Sequence, residues 1–342
     1  MHDALTIEDI GDDEWWRFVR TRPEATPFHH PAWSRLIAEC YRYPAFAIAV
    51  RDPEGAIIGG LPVVEVRHRP ARPRWVCLPF SDHCGVLGLD ATAGLPQALD
   101  RLRAGHGVRR LEIRGALDGP NVVDSGARSH VLRLTPDQDE VFARLHKNQV
   151  QRNIKRAQRE GVTVRITTAE RDLVDVFFGL HLRTRRRLGV PVQPRRYFRL
   201  LWRRVVSQGL GLVLVASLDD VPVAAAVFLT FNGTMVYKYG ASDAAAWAAR
   251  PNHLLFWDAI RWACDHGYDR FDFGRTDAGD ESLRLFKSRW GTVERPLVHT
   301  VLGAPPGAAA TGTVPPRVRS VISRSPLIVN RALGTLLYRR AA

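Results

Sequence analysis

The chain runs through nearly the same order of elements twice, and this recurrence limits its fold more than any single motif. The first pass opens with a helical segment, PAWSRLIAEC. Strand-like runs follow at AFAIAVR, AIIGGLPVVEV and RWVCLPF, then a helix near GLPQALDRLRAG and strands at RRLEIRG and HVLRLT. The second pass opens with one long helix, DEVFARLHKNQVQRNIKRAQREG. It continues with a strand VTVRIT, helices over 170–188 and 194–208, and strands LGLVLVASL, PVAAAVFLTF and TMVYKYGA. A helix NHLLFWDAIRWACDHG and a strand RFDFG complete it. Short β-branched and aromatic runs split by turn residues read as strands. Apolar spacing of three and four, as at Leu254, Trp257, Ile260 and Ala263, reads as a helix face. Asn252 is the expected cap of that helix and Gly267 its stop. The fold class is therefore α/β, with mixed sheets of the α+β kind and helices packed on them. Two similar lobes are expected at 1–135 and 136–302, followed by a tail at 303–342.

No run approaches the ~18 apolar residues of a membrane span. The acidic opening MHDALTIEDIGDDEWW lacks a secretory pattern, which predicts a cytoplasmic protein. Cys40, Cys77, Cys84 and Cys264 form no CxxC pair and read as reduced core thiols, with no metal site expected.

The formal charge is +14, carried by only four lysines against 45 arginines. Such a balance favours polyanionic partners: nucleic acid, anionic lipid or a phosphorylated substrate. Part of it is also what GC-rich coding produces, but composition does not explain clustering. The segment HKNQVQRNIKRAQREG places Lys147, Gln151 and Lys155 four apart, with Arg152, Arg156 and Arg159 beside them. On a helix this gives one basic side, either a phosphate-binding surface or a solvated face. The segment HLRTRRRLGVPVQPRRYFRLLWRR is denser, with Arg183 among its nine arginines. Tyr197, Phe198 and Trp202 within it are core residues or stacking platforms.

The tail differs from both lobes. GAPPGAAATGTVPP is a linker composition. RVRSVISRSPLIVNRALGTLLYRRAA carries six arginines and no acid, and Leu327, Ile328, Leu333, Leu336 and Leu337 form a candidate apolar face. It reads as a helix lying on an anionic membrane surface or as one docked on its own domain.

Two strand ends carry polar groups suited to chemistry. In LPFSDHCG, Asp82 and His83 follow a strand, where they can orient or deprotonate an amine or simply satisfy a turn. In RFDFGRTDAGDESLRLFKSRWG, Phe271 and Phe273 alternate with Arg270 and Asp272. Gly274 allows a turn, leaving Arg275, Thr276 and Asp277 at the strand's end. A short helix then points Leu283 and Phe286 inward and brings Lys287 to its last turn. A lysine there can stabilise an oxyanion or hold a phosphate, or merely complement the helix dipole.

Four segments together, PFSDHCG, LHKNQVQRNIKRAQREGV, HLRTRRRLGVP and FDFGRTDAGDESLRLFKSRWG, resemble the Fem-type (FemABX) peptidyltransferase-like proteins over roughly residues 28–302. The resemblance implies two tandem lobes of the GNAT acyltransferase fold and transfer of an acyl or aminoacyl group to an amine. It implies aminoacyl-tRNA as co-substrate, no cofactor, and a phosphorylated peptidoglycan-precursor-like acceptor. The family's active-site Phe-Lys pair falls on Phe286 and Lys287, with Asp82 as a further catalytic candidate. Arg275, Asp277, Lys147, Arg152, Arg156, Arg183, Tyr239 and His83 are the candidate substrate contacts. The long coiled-coil arm of some members has no counterpart here, which weakens the tRNA expectation.

The rival enzyme is an acetyl-CoA N-acetyltransferase on the same fold. It calls for backbone amides around a pyrophosphate at a Gly-rich helix start. The segment at that place, ASDAAAWAARPNHLL, has no glycine, although arginines nearby can compensate. Tyr237 and Tyr239 on the preceding strand then line the donor site or pack. A third reading is a non-catalytic protein that binds nucleic acid or a membrane surface.

Overall fold

The computed structural model describes residues 4–67, 71–90, 92–304 and 316–327, together with 329–332, 334 and 338. The chain divides into two compact units. The first holds residues up to Arg128 and takes the chain back at Pro296; the second holds Ser129–Arg295 and the described part of the tail.

The first unit begins with a strand that sequence reading missed, β1 (Ala4–Asp9), and a helix, α1 (Asp13–Arg20), capped by the Asp12 carboxylate. Then come α2 (Pro31–Tyr41), β2 (Ala45–Arg51), β3 (Ile57–Val66), β4 (Arg74–Val76), α3 (Leu95–Gly105) and β5 (Arg110–Ile113). Strands β1 to β4 pair antiparallel in chain order, and β4 runs parallel to β5. Trp15, Trp33 and Trp75 are fully buried in its core.

The chain leaves along β6 (Val122–Arg133). The second unit follows with α4 (Gln138–Arg144), a π-helical turn at Lys147–Gln151, α5 (Arg152–Arg159) and β7 (Thr163–Ile166). A second π-helical turn, Asp172–Phe177, runs into α6 (Phe178–Leu188), and α7 (Arg195–Arg204) comes next. β8 (Gly211–Leu218), β9 (Val221–Phe231), β10 (Thr234–Ser242), α8 (Pro251–Asp265), β11 (Arg270–Asp272) and α9 (Glu281–Ser288) follow. The last strand, β12 (Val293–Gly303), escaped sequence reading, and α10 (Pro316–Arg324) begins the tail.

Strands β7 to β10 repeat the antiparallel series of β1 to β4, and β10 runs parallel to β11 as β4 does to β5. The repeat closes by exchange. Val131–Arg133 of β6 pairs antiparallel with β11, and Thr300–Gly303 of β12 pairs antiparallel with β5. The strand that follows β5 in sequence thus completes the second series, and the strand that follows β11 completes the first. The expected duplication is visible here in topology.

The single long helix expected at 139–161 is broken. Leu145 turns extended, His146 donates its backbone N–H to the Arg289 carbonyl at 2.9 Å, and the Gln151 amide donates to the carbonyls of Phe142 and Leu145. These bonds satisfy the frayed end of α4 and restart the chain at a new angle. The start of α8 also differs from expectation. Pro251 occupies its first turn and Arg250 is the left-handed residue before it, at φ 60°, so Asn252 lies inside the helix. Proline suits this place because its missing N–H would have no intrahelical partner.

In the second unit Phe228, Phe256, Phe271, Phe273 and Trp290 form one aromatic core with the apolar face of α8, and Phe286 packs against it. Tyr197 and Phe198 are fully buried core residues. All four cysteines are buried and none forms a disulfide. Among the described residues no helix is long and apolar enough to cross a membrane.

The tail's first helix docks on its own unit. α10 packs on α6, with Ile322 fully buried and the Arg319 Nε donating to the Leu188 carbonyl at 3.3 Å. Of the expected apolar face, Leu327 is half-buried; Ile328, Leu333, Leu336, Leu337 and the linker at 305–315 lie outside the described residues.

Candidate functional site

Helix α5 supplies the basic wall of the site. Ile154 and Ala157 are buried as it packs against α8, which turns Arg152, Arg156 and Arg159 to one side. Arg250, just before α8, and Arg289, just after α9, approach from elsewhere in the chain. Together they surround a cavity of about 600 Å³, completed by Asn153, His253 and Phe286. Among the described residues Glu160 is the only acid lining it, 3.4 Å from the Arg156 guanidinium. A smaller cavity of about 190 Å³ shares Arg250, His253 and Phe286, and adds Trp247, Pro251 and Asn252.

His253 does not add to the positive charge at neutral pH. Burial, and then the Arg250 cation, push its pKa down to about 4. Its ring stacks on Trp290 and meets Phe286 edge-on. Its Nε2 lies 3.4 Å from the Asn153 amide, which itself donates to the Gln149 carbonyl. The cavity thus has a neutral aromatic side and a cationic side. It also opens at the first turn of the 15-residue helix α8, whose dipole adds partial positive charge. Five arginines around one cavity repel each other, and a phosphate taking paired N–H bonds from the guanidinium groups offsets that repulsion.

The other predicted residues are dispersed. Phe286 lines the cavity, but Lys287 beside it is buried and turned away. Its ammonium donates to the carbonyls of Gly274 at 2.8 Å and Arg275 at 2.9 Å, fastening the turn after β11 to α9. Gly274 makes that turn in the left-handed region, at φ 69°. Arg275 is half-buried and paired with the exposed Asp277. Fully buried His130 is near this lysine. Burial first, and then the Lys287 charge, lower its pKa.

Arg152 and Arg156 belong to the cavity wall, whereas Lys147 is exposed on the π-helical turn. Arg183 is exposed on α6, 3.9 Å from Asp243. Tyr239 shares a 2.9 Å hydrogen bond with the Tyr197 hydroxyl, inside an aromatic group with His181 and Phe198. Asp82 and His83 belong to the first unit. They follow two non-glycine residues in left-handed conformation, Leu78 at φ 51° and Phe80 at φ 64°. Asp82 is half-buried and His83 exposed.

Arg250, Arg289 and His253 were not foreseen as site residues. The available signal was the Arg-Pro step opening α8: proline fixes the helix start and so aims the preceding arginine at it.

Residues 144–287 match the family of acetyltransferase (GNAT) domains. No curated protein matches the chain in sequence. Among solved structures, FemX superposes with a TM-score of 0.69 at 14% identity, covering 86% of this chain and 96% of its own. L-PGS from Bacillus licheniformis gives 0.56 at 12% identity, over 93% and 99%. A tandem GNAT protein from the clavulanic acid biosynthesis pathway gives 0.54 at 15%, over 89% and 100%. The repeated topology and these likenesses give the chain the fold of tandem GNAT proteins, and residues 144–287 within it match an acetyltransferase (GNAT) domain.

Proposed function

We propose that this enzyme joins an aminoacyl or acyl group to an amine of a phosphorylated, envelope-precursor-like acceptor, with aminoacyl-tRNA as donor. The observation that carries this reading is the arginine-lined cavity at the start of α8. A donor of either class bears phosphates, and this cavity in the second unit gathers five arginines, among the described residues, around a space large enough to hold them. The aromatic side, Phe286 and His253, offers a surface for a nucleobase.

The chemistry asked of the chain is modest. An aminoacyl ester is already activated. The amine nitrogen attacks the carbonyl carbon, the C–N bond forms, and the ester C–O bond breaks. The proton lost by the amine leaves with the ribose hydroxyl. Alignment of the reactants and positive charge near the developing oxyanion supply the acceleration, and no strong base is needed. In this reading Arg152, Arg156 and Arg250 hold donor phosphates. Lys287 shapes the Gly274–Asp277 turn, from which Arg275 contacts the acceptor. Asp82 and His83, in the first unit, are left without a role.

Acetyl-CoA is the second reading. The match to acetyltransferase domains favours it, and the arginines stand where glycine amides would otherwise hold a pyrophosphate. Calorimetric titration with acetyl-CoA and with a mixed aminoacyl-tRNA pool separates the two. Tighter binding of aminoacyl-tRNA than of uncharged tRNA supports the first. Tight binding of acetyl-CoA with no preference for the aminoacyl end overturns it.

A further inference from the structure

The described residues of the tail include both buried and exposed side chains. On the inner face Ile322 and Asn330 are fully buried and Tyr338 nearly so, its hydroxyl taking a 3.1 Å bond from the Arg185 guanidinium. Gly334 lies so close to the second unit that a Cβ there would stand 2.0 Å from the Val192 carbonyl oxygen. These contacts fix the orientation of the described part of the tail.

On the outer face the opposite holds. Val318 is 38% exposed, Val321 59% and Val329 42%. Val318 and Val321 are three apart on α10; Val321 points to solvent, and Val318, four residues before the buried Ile322, borders the docked side. Leu188, 49% exposed, ends α6 beside them: its carbonyl receives Arg319, and a Cβ on the next residue, Gly189, would touch the Arg319 backbone. Arg319, Arg324 and Arg331 are exposed along the same stretch of the tail. No aspartate or glutamate occurs anywhere from 303 to 342.

We infer that this outer face, Leu188 with Val318, Val321 and Val329 among the tail arginines, seats the enzyme on an anionic lipid surface. Aliphatic side chains gain by leaving water for hydrocarbon. The arginines beside them gain by meeting a plane of negative headgroups. A lipid leaflet presents both at one depth. Nucleic acid presents the phosphates but no hydrocarbon, and a second copy of this face would set arginines against arginines. The inference goes beyond the acyl-transfer reading and does not depend on it.

The test is flotation of the full chain with phosphatidylcholine vesicles, with and without phosphatidylglycerol. The protein is expected to float only with the anionic vesicles. Arg324→Gln should weaken binding about fivefold, as loss of one surface cation does. The pair Val318→Asn and Val321→Asn should weaken it at least about tenfold, through lost apolar burial. These positions are exposed, so melting temperatures should stay near that of the parent, and activity on a soluble acceptor should not change. Equal binding to both vesicle types, or full binding by the valine pair variant, would overturn the inference. So would binding to an RNA homopolymer that fell by the same factor in the valine variant.

Discussion

The Lys287 ammonium reaches thirteen residues back along the chain to the carbonyl oxygen of Gly274, at 2.8 Å, and closes the turn that leaves β11. The lysine that the sequence places at the last turn of its helix is thus the most buried residue of that helix. It compensates main-chain oxygens that the left-handed turn at Gly274 turns inward.

Replacing Lys287 with methionine keeps most of the volume and removes the donor. We expect a loss of about 1–3 kcal/mol for each carbonyl left unpaired, read by urea unfolding. Turnover should fall at least about tenfold, or roughly 1.4 kcal/mol of transition-state stabilisation, because the turn carrying Arg275 loosens. Removing the charge should also raise the pKa of His130 toward its ordinary value, as followed by NMR. A variant with full turnover would contradict the role given to this turn.

Stability should fall on acidification through the histidine range. Burial lowers the pKa of His29 to about 4 and that of His181 to about 3. Both are neutral in the folded protein at pH values where the unfolded chain, with an ordinary value of 6.5, takes up protons. Their contribution is complete above pH 6.5 and is lost as the pH falls toward 4 for His29 and toward 3 for His181. Each adds a slope of up to about 1.4 kcal/mol per pH unit. Chemical unfolding at several pH values measures this; replacing His181 with asparagine should flatten the slope, and an unchanged slope would remove His181 from the account.

The exchanged strands make the first half dependent on the end of the core. A fragment ending at Arg128 lacks Thr300–Gly303, the residues that pair with β5. It should expose that strand's edge and self-associate, as open edges do. Adding the peptide 293–304 in trans should reduce this association, as seen by light scattering. A monomeric, cooperatively folding fragment would show that the returning strand is dispensable.

Much of this architecture is legible in the sequence because strands of β-branched residues and amphipathic helices announce themselves locally. AFAIAVR is read as a strand at its observed limits, and the Leu254–Ala263 face is buried as its spacing requires. What escapes has non-local causes. The break after α4 depends on a bond from His146 to Arg289, far along the chain. β12 is hidden because its first residues, Val293–Pro296, carry charge and a proline and do not look like a strand. The basic character of α5 is plain, but its role is not. The arginine cavity exists only because Arg250 and Arg289 fold in beside Arg152 and Arg156. Lys287 stands out in the sequence as one of four lysines, but its burial follows only from the carbonyls it meets.

The most direct test of the account is the salt dependence of aminoacyl-tRNA binding in the parent and in a variant with Arg152, Arg156 and Arg250 all changed to alanine. If the cavity holds donor phosphates, the variant binds more weakly. Its log–log salt slope should also be smaller by about 0.7 for each arginine lost, the value for single-stranded nucleic acid. Parallel slopes with equal affinities would contradict the assignment of this cavity to the donor.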